Sequence, residues 1–333
     1  MKRLIDPLRE DKSSYQMAKE TAQIILDIAQ SSKYQSVQEL TKTINKAGKM
    51  ILEENPLEFS IENVIRKIIS IIKDINEQND KKKNKGFSNL KKLFEKEDAN
   101  EDLTPANVED KEEFKAKRTK FIDAIQGLLQ ELDDLSDTIN DYAANHINSG
   151  EVILTYGYSE TIKLFLIDAK KQRNFEVIVL DGECKQSGQK MAQDLADEGI
   201  TTSLIPFSSA YAFMSRVNKV FIGAHAIMKN GGVLGRNGIL MLTTAAKAYS
   251  VPVIVLASAI KLTPHFPFEQ NTFNETLNPQ EMLPNTVSYN NNETIIVTRF
   301  DYVAPEYINL YITNYGEHTP AYIYRLFNEY YQN

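Results

Sequence analysis

The sequence predicts an α/β protein in two parts: a helical N-terminal domain over residues 1–147 and a Rossmann-like parallel-sheet domain over residues 148–333. Three observations lead there. Apolar residues recur at three- and four-residue spacing through the first part, and from Glu151 onward short β-rich runs alternate with helical segments. Gly, Asp, Ser and Thr gather where those runs stop. The first pattern is the period of amphipathic helices. The second belongs to a parallel sheet covered on both faces, and the third to the edge where such sheets place ligands.

In the helical part, "SVQEL" at Ser36–Leu40 reads as a capping box, with Ser36 and Glu39 placed to satisfy each other's first-turn amides. "SIENVIRKIISIIKDI" sets Ile61, Val64, Ile65, Ile68, Ile72 and Ile75 on one stripe, and a segment from Phe121 to Tyr142 repeats the pattern through Ile125, Leu128, Leu132, Leu135 and Ile139. Between them, Asn79–Phe114 is charge-dense with weak periodicity, a basic block before an acidic one. It reads as a mobile, solvated connection with one short helix near Leu90–Phe94. In the second part "EVILTYG", "FEVIVLDG", "ITTSLIPF", "KVFIGAHAI", "VPVIVLAS" and "TIIVTRF" are the strand candidates. "SETIKLFLIDAKKQ", "GQKMAQDLADEG" and "GILMLTTAAKAYS" are the helices between them. Pro305 before "EYINLYIT" reads as the first position of a further helix.

A net charge of −7 over 333 residues argues against a general nucleic-acid or anionic-membrane binder. One cysteine, Cys184, excludes an internal disulfide and a cysteine metal cluster and fits a reducing compartment. The opening "MKRLIDPLREDKSSYQ" has no long apolar stretch of the secretory kind, and no run approaches the ~20 apolar residues of a membrane helix. The expected location is the cytosol. No metal and no cofactor are expected: neither the dinucleotide fingerprint GxGxxG nor the phosphate loop GxxxxGK[ST] occurs, and the spacing in "GGVLGRNG" matches neither.

"VNKVFIGAHAIMKNGG", "TTAAKAYSVPVIVLA", "KLTPHFP" and above all "FDYVAPEYINLYITNYGEHTPAYIYRL" resemble the beta-type subunits of eukaryotic translation initiation factor 2B, the nucleotide exchanger for initiation factor 2. "INKAGKMILEENPLEFSIENVIRKII" and "ANHINSGEVILTYGYSETIKLFL" extend the resemblance through the helical part; Asn79–Phe114 matches poorly. The resemblance also reaches a superfamily that includes methylthioribose-1-phosphate and ribose-1,5-bisphosphate isomerases. Those enzymes move a hydrogen between adjacent carbons of an opened sugar and need a positioned acid–base pair with cationic or amide groups for the phosphate.

By that resemblance the isomerase cysteine falls at or beside Gly157, where there is no thiol, and the isomerase aspartate falls at His225. The Asn-Lys pair of the isomerases becomes Gly235-Arg236, and their arginine after the second strand falls near Glu183, an acid that repels phosphate. Asn230 and Gly231 are retained, and a sharp turn explains both. Imidazole is able to act as a general base, but no thiol or carboxylate partner stands near His225 in sequence, so a hydrogen-bonded or interface histidine is expected. Gly157, Glu183, His225, Asn230, Gly231 and Arg236 thus outline a vestigial isomerase pocket.

The resemblance implies a non-catalytic regulatory subunit. It pairs with a delta subunit through the sheet domain, joins alpha, gamma and epsilon subunits, and uses the helical domain to bind the alpha subunit of initiation factor 2 and relay inhibition by its phosphorylation, exchange being catalysed by epsilon. The tyrosine-rich C-terminus, from Phe300 to Tyr331, is expected to divide between core and interface. The proline-interrupted "KLTPHFPFEQNTFNETLNPQEML" is expected as an extended surface arm, either crossing to a partner subunit or folded back as a self-packed loop. Two alternatives remain at this point: a sugar-phosphate isomerase with altered residues, and a sensor holding a sugar phosphate or nucleotide through Arg236, Lys185 and the turn amides.

Overall fold

The computed structural model describes residues 13–31, 36–84, 111–182, 187–267, 269, 272–277 and 296–331. The chain divides into two compact units, Met1–Leu132 and Asp133–Asn333. The division lies N-terminal to the expected 147/148 boundary for a physical reason: Ile139, Ala143 and Ile147 are buried among Ile153, Phe165 and Phe221 of the sheet unit.

The first unit holds helices α1 (Ser14–Gln30), α2 (Val37–Glu54) and α3 (Phe59–Asn84), and most of α4 (Lys111–Asn140). Ser13 opens α1 with a reciprocal capping box to Gln16. At α2 the Ser36 Oγ accepts the Glu39 amide at 3.2 Å, the half of the expected box that stops the first turn fraying. Ile61, Ile68 and Ile125 are fully buried, as their spacing predicts, and so are Ile25, Ile44 and Ile51 of α1 and α2. The Arg118 Nε donates to the Ala29 carbonyl at 2.8 Å, so a side chain of α4 satisfies the C-terminal carbonyls of α1. The connection is shorter than its charge density suggests, because helix α3 runs to Asn84 and α4 begins at Lys111. The short helix expected near Leu90–Phe94 lies outside the described residues.

The second unit opens with the short helix α5 (Ala143–His146) and proceeds as β1 (Val152–Tyr156), α6 (Glu160–Lys170), β2 (Glu176–Asp181), α7 (Ser187–Asp197), β3 (Thr201–Pro206), α8 (Ala210–Phe213) and β4 (Lys219–Gly223). After a turn come β5 (Ala226–Met228), β6 (Val233–Arg236), α9 (Ile239–Ala248), β7 (Val253–Leu256) and β8 (Leu262–Thr263). The rest is β9 (Thr276–Leu277), β10 (Val297–Thr298), β11 (Phe300–Val303), β12 (Leu310–Thr313), β13 (Gly316–His318) and α10 (Ile323–Tyr331). The main sheet has the order β13-β12-β7-β4-β1-β2-β3, with every pairing parallel except β12–β13. Its parallel strands follow the doubly wound order, with the reversal between β1 and β4. Residues alternate between two apolar layers. Leu154, Ile178, Leu180, Val220 and Val255 face α9 and α10, while Ile153, Val177, Val179, Phe221 and Ile254 face α6 and α7.

Two expectations for this unit are corrected. "EYINLYIT" is not a helix: Pro305 starts a single 3-10 turn, Pro305–Tyr307, and the chain then enters the sheet as β12 beside β7. Tyr311 and Ile312 are both fully buried, one in each of the two apolar layers, as the alternation of a strand places them. "TIIVTRF" does not join the main sheet. Its described part forms β10 and the start of β11, and β11 pairs antiparallel with β6 in a second sheet of order β11-β6-β5-β8. The described parts of the surface arm pack on their own unit: Leu262 and Thr263 are buried in β8, Asn274 bonds the backbone of Phe300, and Glu275 pairs with Arg299.

Candidate functional site

In this topology the ligand edge lies beyond the carboxyl ends of β1 and β4. The loop after β1 begins at Gly157, whose φ of +62° is left-handed. A Cβ built there would stand 3.1 Å from both the Arg236 Nη1 and the Ser187 Oγ. Arg236, at the end of β6, donates from Nη1 to that Ser187 hydroxyl at 2.9 Å. A side chain at position 157 would thus press on an arginine–serine pair, which must give by a few tenths of an ångström to admit it.

The neighbouring helix N-termini are also filled from within. Asp181 closes β2, and its Oδ1 accepts the Gly188 amide at 3.0 Å in the first turn of α7; its Oδ2 accepts the Gln189 side-chain amide at 3.3 Å. Asp301 of β11 does the same for α9, its Oδ2 accepting the Gly238 and Leu240 amides at 2.8 and 3.3 Å. Helix N-termini attract anions through unpaired amides and the macrodipole. Here two internal carboxylates hold those amides. Tyr156 completes the wall: its hydroxyl donates to the Asn237 carbonyl at 2.7 Å and its ring packs on Phe207. A shallow open depression of about 350 Å³ beside it is lined by Asp181, Gly182, Leu204, Ile205, Pro206, Phe207 and Ser208. The one charged group in that lining is an acid, the wrong sign for a phosphate.

His225 follows β4. Its amide donates to the Leu234 carbonyl at 2.8 Å, and its half-buried ring stacks on Phe300, centroids 4.2 Å apart and planes inclined by 22°. Asn230 and Gly231 form the turn between β5 and β6. The Asn230 Oδ1 accepts the Gly232 amide at 3.0 Å while its Nδ2 donates to the Tyr302 hydroxyl at 2.8 Å. Gly231 has φ +82°, and a Cβ there would come within 2.3 Å of the Pro320 carbonyl oxygen. Its own carbonyl accepts from the buried Tyr311 hydroxyl at 2.7 Å. Burial raises the Tyr311 pKa well above the ordinary phenol value and keeps the hydroxyl a donor.

Of the residues singled out in the sequence, Gly157 and Arg236 meet, whereas Asn230, Gly231 and His225 pack against the C-terminal aromatic segment. Glu183, with Cys184 and Lys185, lies outside the described residues. Sequence reasoning missed Asp181, Ser187 and Asp301. Asp-Gly at a strand end and Ser-Gly before a helix were the available local signals for the first two; Asp301 had none, since it acts on a helix far earlier in the chain. Among the described residues no group of three or more His, Cys, Asp and Glu side chains is placed to hold a metal, and no helix is long and apolar enough to cross a membrane.

Elsewhere in this unit, the Lys219 Nζ binds both Glu151 oxygens at 2.8 and 2.9 Å and the His146 carbonyl at 2.7 Å. Burial pushes the Glu151 pKa up, but the Asn148 amide and the Lys219 ammonium outweigh it and hold the carboxyl below its ordinary range.

The fold and its ligand edge define a helical unit followed by a Rossmann-like sheet unit whose switch point is occupied by its own side chains. The chain belongs to the initiation factor 2 subunit family, whose sequence model matches residues 10–320. It is 34% identical to translation initiation factor eIF2B subunit beta of Dictyostelium discoideum, over 96% of this chain and 91% of the relative. It is 29% identical to the corresponding subunit of Schizosaccharomyces pombe, over 97% and 93%. Among solved structures it is similar to a chain of the tetrameric eIF2B-beta2-delta2 complex from C. thermophilum, with a TM-score of 0.77, 25% identity, and coverage of 99% of this chain and 94% of that one.

Proposed function

We propose that the chain is a non-catalytic regulatory subunit of the guanine-nucleotide exchange factor for translation initiation factor 2, acting in the cytoplasm. It pairs with a delta-type subunit through the sheet unit, takes its place beside alpha, gamma and epsilon subunits, and helps bind the alpha subunit of initiation factor 2 and relay inhibition by its phosphorylation. Exchange itself is assigned to epsilon. The observation that carries the non-catalytic reading is the arginine–serine pair over Gly157. Hydrogen transfer between sugar carbons needs an acid and a base aimed at one space, whereas the groups beside Gly157 are an arginine and a serine bonded to each other. The Asp181 and Asp301 carboxylates on the helix amides count equally against a sugar-phosphate sensor.

The test is co-expression with a delta-type partner, followed by sizing and mass determination, with ribose-1,5-bisphosphate and methylthioribose-1-phosphate turnover assayed on the same material. A stable complex of equal stoichiometry without turnover is expected. A homodimer indifferent to the delta chain, with measurable isomerisation, would overturn the reading.

A further inference from the structure

We infer that α2 presents a lysine stripe that binds an acidic segment of a partner protein. Lys42, Lys46 and Lys49 are exposed on one side of the helix, while Leu40, Ile44, Ala47 and Ile51 are buried on the other. The spacing of the three lysines places them nearly in line, about 6 and 4.5 Å apart along the axis. Helix α2 cannot roll to hide them: Gly48 lies so close to Ile65 of α3 that a Cβ there would stand 3.1 Å from two of its carbons. The stripe is therefore presented by a face fixed through core packing.

None of the three lysines has an ion-pair partner among the described residues, although Glu39 and Glu53 stand at the two ends of the row. Other lysines of the chain do pair within it, Lys163 with Glu160, Lys171 with Asp168, Lys219 with Glu151 and Lys247 with Glu306, whereas among the described residues exposed Lys115 and Lys120 of α4 do not and so serve as the control below. Like charges at i,i+4 weaken a helix, and the chain as a whole is acidic at −7. A row of unneutralised cations on such a protein is complementary to carboxylates recurring on one face of a partner helix at the same three- and four-residue spacing. This surface rests on the reading of the chain as a subunit of a larger assembly, for which it supplies one contact.

The test is fluorescence anisotropy with a labelled peptide carrying glutamates at that helical spacing. It uses the full chain, alone and co-expressed with a delta-type partner. The variant K42Q/K46Q/K49Q is compared with K115Q/K120Q, which removes exposed lysines from α4 of the same unit. Circular dichroism checks that both variants fold. The triple variant should bind about ten-fold more weakly at low ionic strength and the control less than two-fold. Binding by the wild type should vanish near 1 M salt, where the screening length is about 3 Å.

Equal weakening in both variants would reduce the effect to bulk charge and overturn the proposal. So would equal binding of a peptide with glutamine in place of glutamate. Binding seen only after Glu95, Glu97, Asp98, Glu101 and Asp102 are neutralised would assign the stripe to this chain's own acids, and would overturn it too. Failure to assemble with the delta-type chain overturns the subunit reading instead, and leaves the peptide result on the chain alone readable.

Discussion

The guanidinium of Arg236 and the hydroxyl of Ser187 meet at 2.9 Å across the bare α-carbon of Gly157, closing the loop that follows the first strand. Installing the two isomerase side chains, as Gly157→Cys with His225→Asp, should therefore not create an isomerase. The new thiol would need a left-handed backbone and the volume held by Arg236. The expected outcome is no turnover of either sugar phosphate above the wild-type background, together with a loss of roughly 1–3 kcal/mol of stability. Turnover by the double variant would mean that the arginine yields readily and the site is open.

Gly231 is the tightest point of the turn between β5 and β6. Gly231→Ala forces a non-glycine residue to φ +82° and drives its methyl group into the Pro320 carbonyl. Denaturant unfolding should report a loss of roughly 3 kcal/mol. Tyr311→Phe leaves the Gly231 carbonyl buried without its donor and should cost about 1–2 kcal/mol.

Asp301 acts as the cap of α9 from outside the helix. Asp301→Ala should cost about 0.5–2 kcal/mol, and Asp301→Asn, which keeps an acceptor and loses the charge, should cost less. Hydrogen exchange at the Gly238 and Leu240 amides gives the local check. Equal protection in all three proteins would sink the assignment.

The Lys219–Glu151 pair sets part of the acid limit. The Glu151 pKa is depressed in the folded chain, so its stabilisation is complete above its ordinary value near 4.5 and is lost as pH falls through the folded value. Glu151→Gln should therefore be less stable than wild type at pH 7, with the gap closing toward pH 3. A gap unchanged across that range would show that the carboxylate charge contributes nothing.

Much of the fold is visible in local sequence because period is a local property. The isoleucine stripe of α3 and the alternation of β1, β2 and β4 each declare their geometry within a few residues. Residues 305–313 mislead for the same reason. Pro305 does begin a turn, as proline at a first position suggests, but whether a second turn follows depends on β7, where a vacant strand position captures Tyr311 and Ile312. The site was less legible. Gly157 and His225 stood out by what they lack, whereas the partners that define them, Arg236 and Phe300, are close only in the folded chain.

Phe300, Asp301, Tyr302, Tyr311 and Pro320 each reach back to residues 225–240. Synthesis delivers these five after β1 to β8 and α9. A nascent chain can lay down β1 to β4 early, yet the histidine has no ring beneath it and α9 no cap until Phe300 and Asp301 emerge. The sheet unit therefore matures only after residues 300–320 have been made. Chains cut short before Phe300 will have strands but no finished ligand edge.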